Sequence, residues 1–429
     1  MALKISIIGG GSAYAPGLIH AFIQNASAFP GAEIALMDIA ARELDIVHRL
    51  GQRMVSAAGV DLTLTATTDR RQAVSGADFV LTSFRQGGFE ARHQDETIPL
   101  KYNIIGQETI GPGGFFFALR TLPVIKALIQ DIKELTPRAV LVNYTNPTQI
   151  VAEAVTHFSD VPCISICDQS NEDKQNLRKA LNLPQAVIDL EAVGLNHATW
   201  STKFEIDGQD GILVMERHLK AVLAREEVSP RTKRQFLLAC EYGRLPNSYM
   251  QYYYYREETV SEAKAAPKTR SQVILDSLPG YYRHFEEQIA AEEPRLTHVR
   301  GGSLFGDMAV DVLRGLAEQN HPIYTLNVPN RSALADFTPD RVVEVPARLE
   351  HAGATPLAQG YLPAEVTGLL HMLAEYQWLA ADAIWNGNLK AVEHALAANP
   401  LVLSLSIAQN MLADIRSLQQ GYWPEQIRH

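Results

Sequence analysis

The chain has 429 residues, about twice what one hydrophobic core usually serves, so its length calls for two domains or one large α/β domain. Hydrophobic residues make up 46% and charged residues 20%, an ordinary globular balance, and a formal charge of -10 argues against broad binding to nucleic acid or a membrane surface. No apolar run approaches the roughly 20 residues of a membrane span, and Lys4 leads straight into a short apolar run and glycines, too short for a signal peptide.

Residues 3–11, LKISIIGGG, read as a buried strand running into glycines, and APGLIHAFIQ after them has helical periodicity through Leu18, Ile19, Phe22 and Ile23. AEIALMD gives a second strand ending at Asp38. Strand, glycine-rich turn, helix, strand and acid is the dinucleotide-binding order. Backbone N–H groups at the helix start cradle a pyrophosphate, and the acid holds ribose hydroxyls, which points to NAD rather than NADP. Gly9 and Gly11 fit the first two glycines of that pattern, while Tyr14 stands at the third and leaves it incomplete.

ADFVLTSF (77–84), RAVLVNYTNP (138–147) and VPCISIC (161–167) are further apolar runs with helical stretches between them. The alternation predicts a parallel, doubly wound α/β sheet of Rossmann type, with ligands beyond the carboxyl ends of the strands. That rule gathers Gly9, Arg85, Asn146 and Cys167 around one crevice. The stretch after Arg85 reads as a long glycine-rich active-site loop. Within it GQETIGPGG (106–114) has five glycines or prolines in nine positions, which suggests close backbone approach to something. In NYTNP, Asn143 and Asn146 can hold substrate hydroxyls or cap the turn.

Three cysteines, Cys163, Cys167 and Cys240, suit a reducing cytoplasm. Cys163 and Cys240 read as core. Cys167, followed by Asp168, is a metal ligand, a nucleophile or a buried thiol beside a turn aspartate. Either active reading points to His197 in VGLNHATW, thirty residues on. Beyond it, TWSTKFEIDGQDGILV reads as a hairpin turning at DGQDG, and 245–258 packs five tyrosines into the seven positions from Tyr249. Residues 365–400 read as two amphipathic helices broken near NGN, with Met372, Trp378, Leu379 and Trp385 as core or subunit interface. GYWPEQIRH reads as a surface tail. A soft domain boundary falls near 195, dividing 1–195 from a mixed α+β domain over 196–429.

In their number and order, IIGGGSAY, GQETIGPGG, NYTNP, the Cys167 segment, VGLNH, PNSYMQYY and VVEVP resemble the NAD-dependent family 4 glycoside hydrolases, over most of the chain. The resemblance implies a lactate/malate dehydrogenase-like fold, with Gly9, Gly11, Ser12, Asp38 and Asn146 at NAD. It implies a divalent metal, usually Mn2+, on Cys167 and His197, with Tyr249 as base. Asp168 is the acid for the leaving oxygen, and Arg85, Asn146 and Arg270 hold a phosphorylated sugar. The chemistry implied is redox-neutral hydrolysis of a 6-phosphoglucoside: oxidation at C3, loss of the C2 proton, elimination, addition of water, and return of hydride. Asp168 resembles the 6-phospho-α-glucosidases, although DETIPLKYNIIGQETIGPGG looks closer to β-type enzymes; the direct chemical role of Asp168 weighs toward α. The expected protein is cytoplasmic and a homo-oligomer, dimer or tetramer.

Overall fold

The computed structural model describes residues 2–298, 300, 306–318 and 320–428. Twelve strands join in one sheet: β1 (Lys4–Ile8), β2 (Ala32–Met37), β3 (Leu62–Thr67), β4 (Phe79–Thr82), β5 (Val140–Asn143), β6 (Cys163–Ser165), β7 (Ile188–Leu195), β8 (Ala198–Ile206), β9 (Gln209–Asp210), β10 (Ile323–Pro329), β11 (Val342–Glu350) and β12 (Gly353–Pro356). The order is β3-β2-β1-β4-β5-β6-β10-β11-β7-β8-β9, with β12 on β11. From β3 to β6 every pair is parallel. The central strands are buried on both faces, which is why KISII and FVLT read as unbroken apolar runs rather than alternating ones. The winding of successive strands reverses at the β1–β4 boundary, the place where such parallel sheets bind their ligands.

Six further strands, all paired antiparallel, complete that sheet, with β9 on β8 and β12 on β11. β10 pairs with β6, β11 with β10, β7 with β11 and β8 with β7. Strands from the second half of the sequence thus lie between β6 and β7 of the first. Residue 195, where a domain boundary was expected, sits at the tip of the β7–β8 hairpin, and the sheet and main core run through it.

Three local expectations change. The stretch 86–120 is mostly helix, not loop: Gly88–Leu100 and Pro112–Leu135 are α-helical, because Pro112 sits in the first turn and the FFFALR run after the glycines is buried all round. By length and composition Pro112–Leu135 is the one helix among the described residues that could cross a membrane, but 78% of its most apolar stretch is buried inside the protein. The hairpin expected at DGQDG survives only as the short β8–β9 pair. Asp210 instead caps the helix Gly211–Ala224, its carboxylate accepting from the Ile212 N–H at 2.8 Å. Finally, the C-terminus is no surface tail, since Trp423 and Ile427 are buried. Gln419 just before it packs beside the buried Arg120–Asp95 ion pair and donates to the Ala91 carbonyl at 3.1 Å. Residues 365–400 do form two helices, Ala364–Asn386 and Leu389–Ala398.

Candidate active site

The β1 turn is kept clear of side chains by close backbone packing. At Gly9 (φ 102°) a Cβ would come 2.2 Å from the Ser83 carbonyl oxygen, and at Gly11 it would meet Leu44 and Asp38 at 2.9 and 3.1 Å. The Asp38 carboxylate accepts from the N–H groups of Gly11 and Ala40, both at 3.0 Å. Among the described residues the buried Ser12 Oγ has no hydrogen-bond partner. An uncrowded backbone turn, an unpaired hydroxyl and an acid at the end of β2 fit a dinucleotide. Tyr282, from the helix Arg270–Ala290, donates to the Gly11 carbonyl at 2.8 Å and so pins the turn from the second half of the chain.

At the end of β6 and the tip of the β7–β8 hairpin, Cys167 Sγ lies 3.1 Å from His197 Nε2. His197 reaches it from a left-handed backbone, φ 61°, that the tight turn imposes. Burial pushes the Cys167 thiol up to about 12, reinforced by Glu344, and burial pushes the His197 imidazole down to about 3. The imidazole is therefore neutral, with a lone pair to give, while the thiol keeps its proton until a cation displaces it. A sulfur and a ring nitrogen converging at this distance are placed as two ligands of one ion would be. Among the described residues no group of three or more His, Cys, Asp or Glu forms a metal cluster, so further ligands would come from substrate or water.

Asp168 follows at the start of the helix Gln169–Leu181, where its side chain makes no capping bond and its Oδ1 has no partner among the described residues. Burial, then Asp307 and Glu172, push its carboxyl up to about 7. Tyr249 approaches from the other side, its ring 4.0 Å from that of His197. The Asp173 carboxylate, fixed by Gln169 at 2.8 Å, accepts from the Ser248 N–H at 3.0 Å and so ties the tyrosine turn to the helix after Cys167. Burial holds the Tyr249 phenol well above its ordinary range, with Arg231, 5.4 Å from the ring, pulling the other way.

Arginines gather at the end of β4. Arg85 and Arg92 both pair with Glu108, at 2.8 and 3.2 Å, and despite burial they hold its carboxylate down at about 2. The Arg300 guanidinium lies over the Phe89 ring at 4.3 Å and Arg85 over the same ring at 5.2 Å. Arg92 also pairs with Glu96 at 2.8 Å, so three cations meet two carboxylates and leave the cluster a net positive charge suited to an anion. Arg300 also covers the Tyr14 ring at 4.4 Å, so the residue that breaks the glycine pattern has its own use.

Two expected residues make no hydrogen bond or ion pair to these groups among the described residues. Arg270 is exposed in the first turn of its helix, and among the described residues it has no hydrogen bond or ion pair; the Thr269 capping box turns the chain so that it faces out. Asn146 precedes a cis peptide to Pro147 and accepts from the Thr148 hydroxyl at 2.8 Å, capping its own helix, while every polar atom of Asn143 is engaged inside the sheet. Sequence reasoning missed Arg92, Arg231, Arg300, Glu108 and Thr109. Lone arginines scattered over more than two hundred positions carry no spacing signal, although Glu108 and Thr109 lie inside a motif that stood out.

Residues 4–183 match the family 4 glycosyl hydrolase domain, and residues 192–402 match the family 4 glycosyl hydrolase C-terminal domain. A probable 6-phospho-beta-glucosidase of Bacillus subtilis (strain 168) is 35% identical over 433 residues, covering 99% of this chain and 98% of the relative. A crystal structure of 6-phospho-alpha-glucosidase from gut microorganisms in complex with NAD and Mn2+ superposes with a TM-score of 0.88 at 27% identity, over 99% of this chain and 100% of that one. Malate dehydrogenase from Plasmodium falciparum shares the fold alone, with a TM-score of 0.51 at 11% identity over 92% of this chain and 99% of that one. With both halves matched and the relatedness running end to end, this chain belongs to the family 4 glycosyl hydrolases.

Proposed function

We propose that the protein is a cytoplasmic 6-phosphoglucosidase that uses NAD and Mn2+ without net redox change and acts on the α-anomer. The observation that carries this reading is the Cys167–His197 pair at 3.1 Å, set at the strand ends that also bear the dinucleotide turn and the arginine cluster. The chemistry supplied by the two bound groups is reversible hydride acceptance and Lewis-acid polarisation of sugar hydroxyls. The chain's own residues do the rest. Gly9, Gly11, Ser12 and Asp38 seat the dinucleotide; Arg85, Arg92 and Arg300 take the 6-phosphate; Cys167 and His197 hold the cation. Tyr249, its ring tilted against that of His197 at 4.0 Å, removes the C2 proton, and a cation held by Cys167 and His197 would offset the burial that otherwise holds its phenol up. Asp168, half-buried and with its Oδ1 unpaired among the described residues, has its carboxyl raised to about 7, so part of the protein carries a proton there at neutral pH to give to the leaving oxygen. Net reaction adds one water across the glycosidic bond.

A β-specific reading has its own support in the 35% identity to the Bacillus subtilis relative. Both are tested by assaying p-nitrophenyl 6-phospho-α- and 6-phospho-β-D-glucopyranosides with and without NAD+ and Mn2+, under reducing conditions, while following absorbance of NADH. Nitrophenol release that needs both additions and leaves no lasting NADH supports the mechanism, and the preferred anomer decides between the two readings. A folded protein that binds NAD+ and releases nothing from either compound sinks the phosphoglucosidase assignment.

A further inference from the structure

The GQETIGPGG loop reaches the metal pair through a hydrogen bond between Thr109 and His197, and that contact has a direction. The Gln107 side-chain oxygen accepts three hydrogen bonds, from the N–H groups of Thr109 and Ile110, both at 2.7 Å, and from the Thr109 hydroxyl at 2.8 Å. Two backbone donors fix which end of the amide faces them, because its nitrogen cannot accept. With the oxygen so placed, the Thr109 hydroxyl proton is committed to Gln107; turning it away would set two oxygen lone pairs against each other. What Thr109 Oγ1 has left to offer is an acceptor, and His197 Nδ1 lies 2.7 Å from it. Nδ1 must then carry the ring proton, and Nε2 the lone pair that faces Cys167 Sγ. All three residues are buried, so water does not compete for these bonds. Gln107 is in turn held by its own carbonyl, which accepts from Gly114 N–H at 2.9 Å and Gly111 N–H at 3.2 Å.

We infer that Gln107 and Thr109 are positioning residues that lock His197 in its Nδ1–H tautomer, so that Nε2 is available to a cation whether or not one is bound. The inference rests on the metal reading of Cys167 and His197 given above and adds to it the device that makes the imidazole a ligand. Partners of this kind beyond the ligands themselves hold ring orientation and tautomer, and their loss costs roughly 10–100-fold in metal affinity.

The test uses the full chain labelled with 15N-histidine, whose 13 histidines are resolved by comparison with His197→Asn. In the metal-free protein His197 is expected to show a protonated Nδ1 and an unprotonated Nε2. Thr109→Val, which keeps shape and removes the acceptor, is expected to lose that preference and to bind Mn2+ roughly 10–100-fold more weakly by electron paramagnetic resonance titration. Thr109→Ser restores both. The inference is overturned if the metal-free parent carries its proton on Nε2, or if folded Thr109→Val keeps both tautomer and Mn2+ affinity. A parent that shows the Nδ1–H form but binds no Mn2+ overturns the metal reading, and with it the positioning role, while the tautomer assignment stands.

Discussion

Cys167 Sγ and His197 Nε2 lie 3.1 Å apart, brought together by the end of β6 and the tip of the β7–β8 hairpin. Burial favours the neutral form of each, holding the thiol up and the imidazole down. Replacing either donor while keeping size, as Cys167→Ser or His197→Asn, is expected to abolish Mn2+ binding and Mn2+-dependent turnover yet leave NAD+ affinity near that of the parent. Metal titration beside NAD+ fluorescence quenching separates the two; loss of NAD+ binding as well would point to general damage.

Asp168 is expected to matter in proportion to how badly the leaving group needs a proton. Asp168→Asn should lower turnover of a phosphorylated disaccharide by roughly 10²–10⁴-fold, the usual worth of a positioned acid. Turnover of the p-nitrophenyl substrate, whose leaving group departs as the anion, should fall far less. Equal losses on both substrates would assign Asp168 a structural role.

Arg85 is mostly buried and shares Glu108 with Arg92. Arg85→Ala removes a charged donor from the anion pocket, a loss of about 1.5–3 kcal/mol, or roughly 10–150-fold weaker binding of glucose 6-phosphate. Glucose itself should bind the variant and the parent alike. Calorimetric titration of both sugars reads the difference, and unchanged affinity for the phosphorylated sugar would remove Arg85 from the pocket.

Glu153 lies in the core of the helix Thr148–Phe158, where burial pushes its carboxyl up to about 8 from a reference of 4.5. Between those two values the unfolded chain gives up the proton and the folded protein keeps it, so stability present below about pH 4.5 is lost as pH rises toward 8. Glu153→Gln has no such proton to keep. Its melting temperature relative to the parent should therefore rise steadily from pH 5 to pH 8, and a difference that stays flat across that range would contradict the buried, protonated carboxyl.

Trp423, fully buried near the C-terminus, closes the main core beside the helix that ends at Gln419. Trp423→Ala is expected to destabilise the fold by about 3–5 kcal/mol. Chemical denaturation measures this directly, and a change within error of zero would return the segment to the surface.

The amino-acid sequence alone was enough for five of the six strands in the parallel half of the sheet, all but β3 at its edge. KISII, AEIALM, FVLT and VLVN are short apolar runs between glycine turns and helical stretches, and burial on both faces is a local, readable property. Gly9, Gly11 and Asp38 were legible for the same reason: they follow one another within a single strand–turn–helix–strand unit. The Cys167–His197 pair was reached through the order of whole motifs, since thirty positions of separation say nothing about distance.

Only the tertiary structure could insert β10 and β11 between β6 and β7, because pairing partners that far apart leave no trace in either strand's own pattern. The same holds for the anion pocket. Arg85, Arg92 and Arg300 converge on Phe89 and Glu108 from segments up to 215 positions apart, and nothing local distinguishes Arg300, which is placed there, from Arg270, which faces outward. Hydrophobic periodicity is written residue by residue, whereas electrostatic and hydrogen-bonding partners, from the arginine cluster to the Gln107–Thr109–His197 relay, exist only once the chain has folded them into reach.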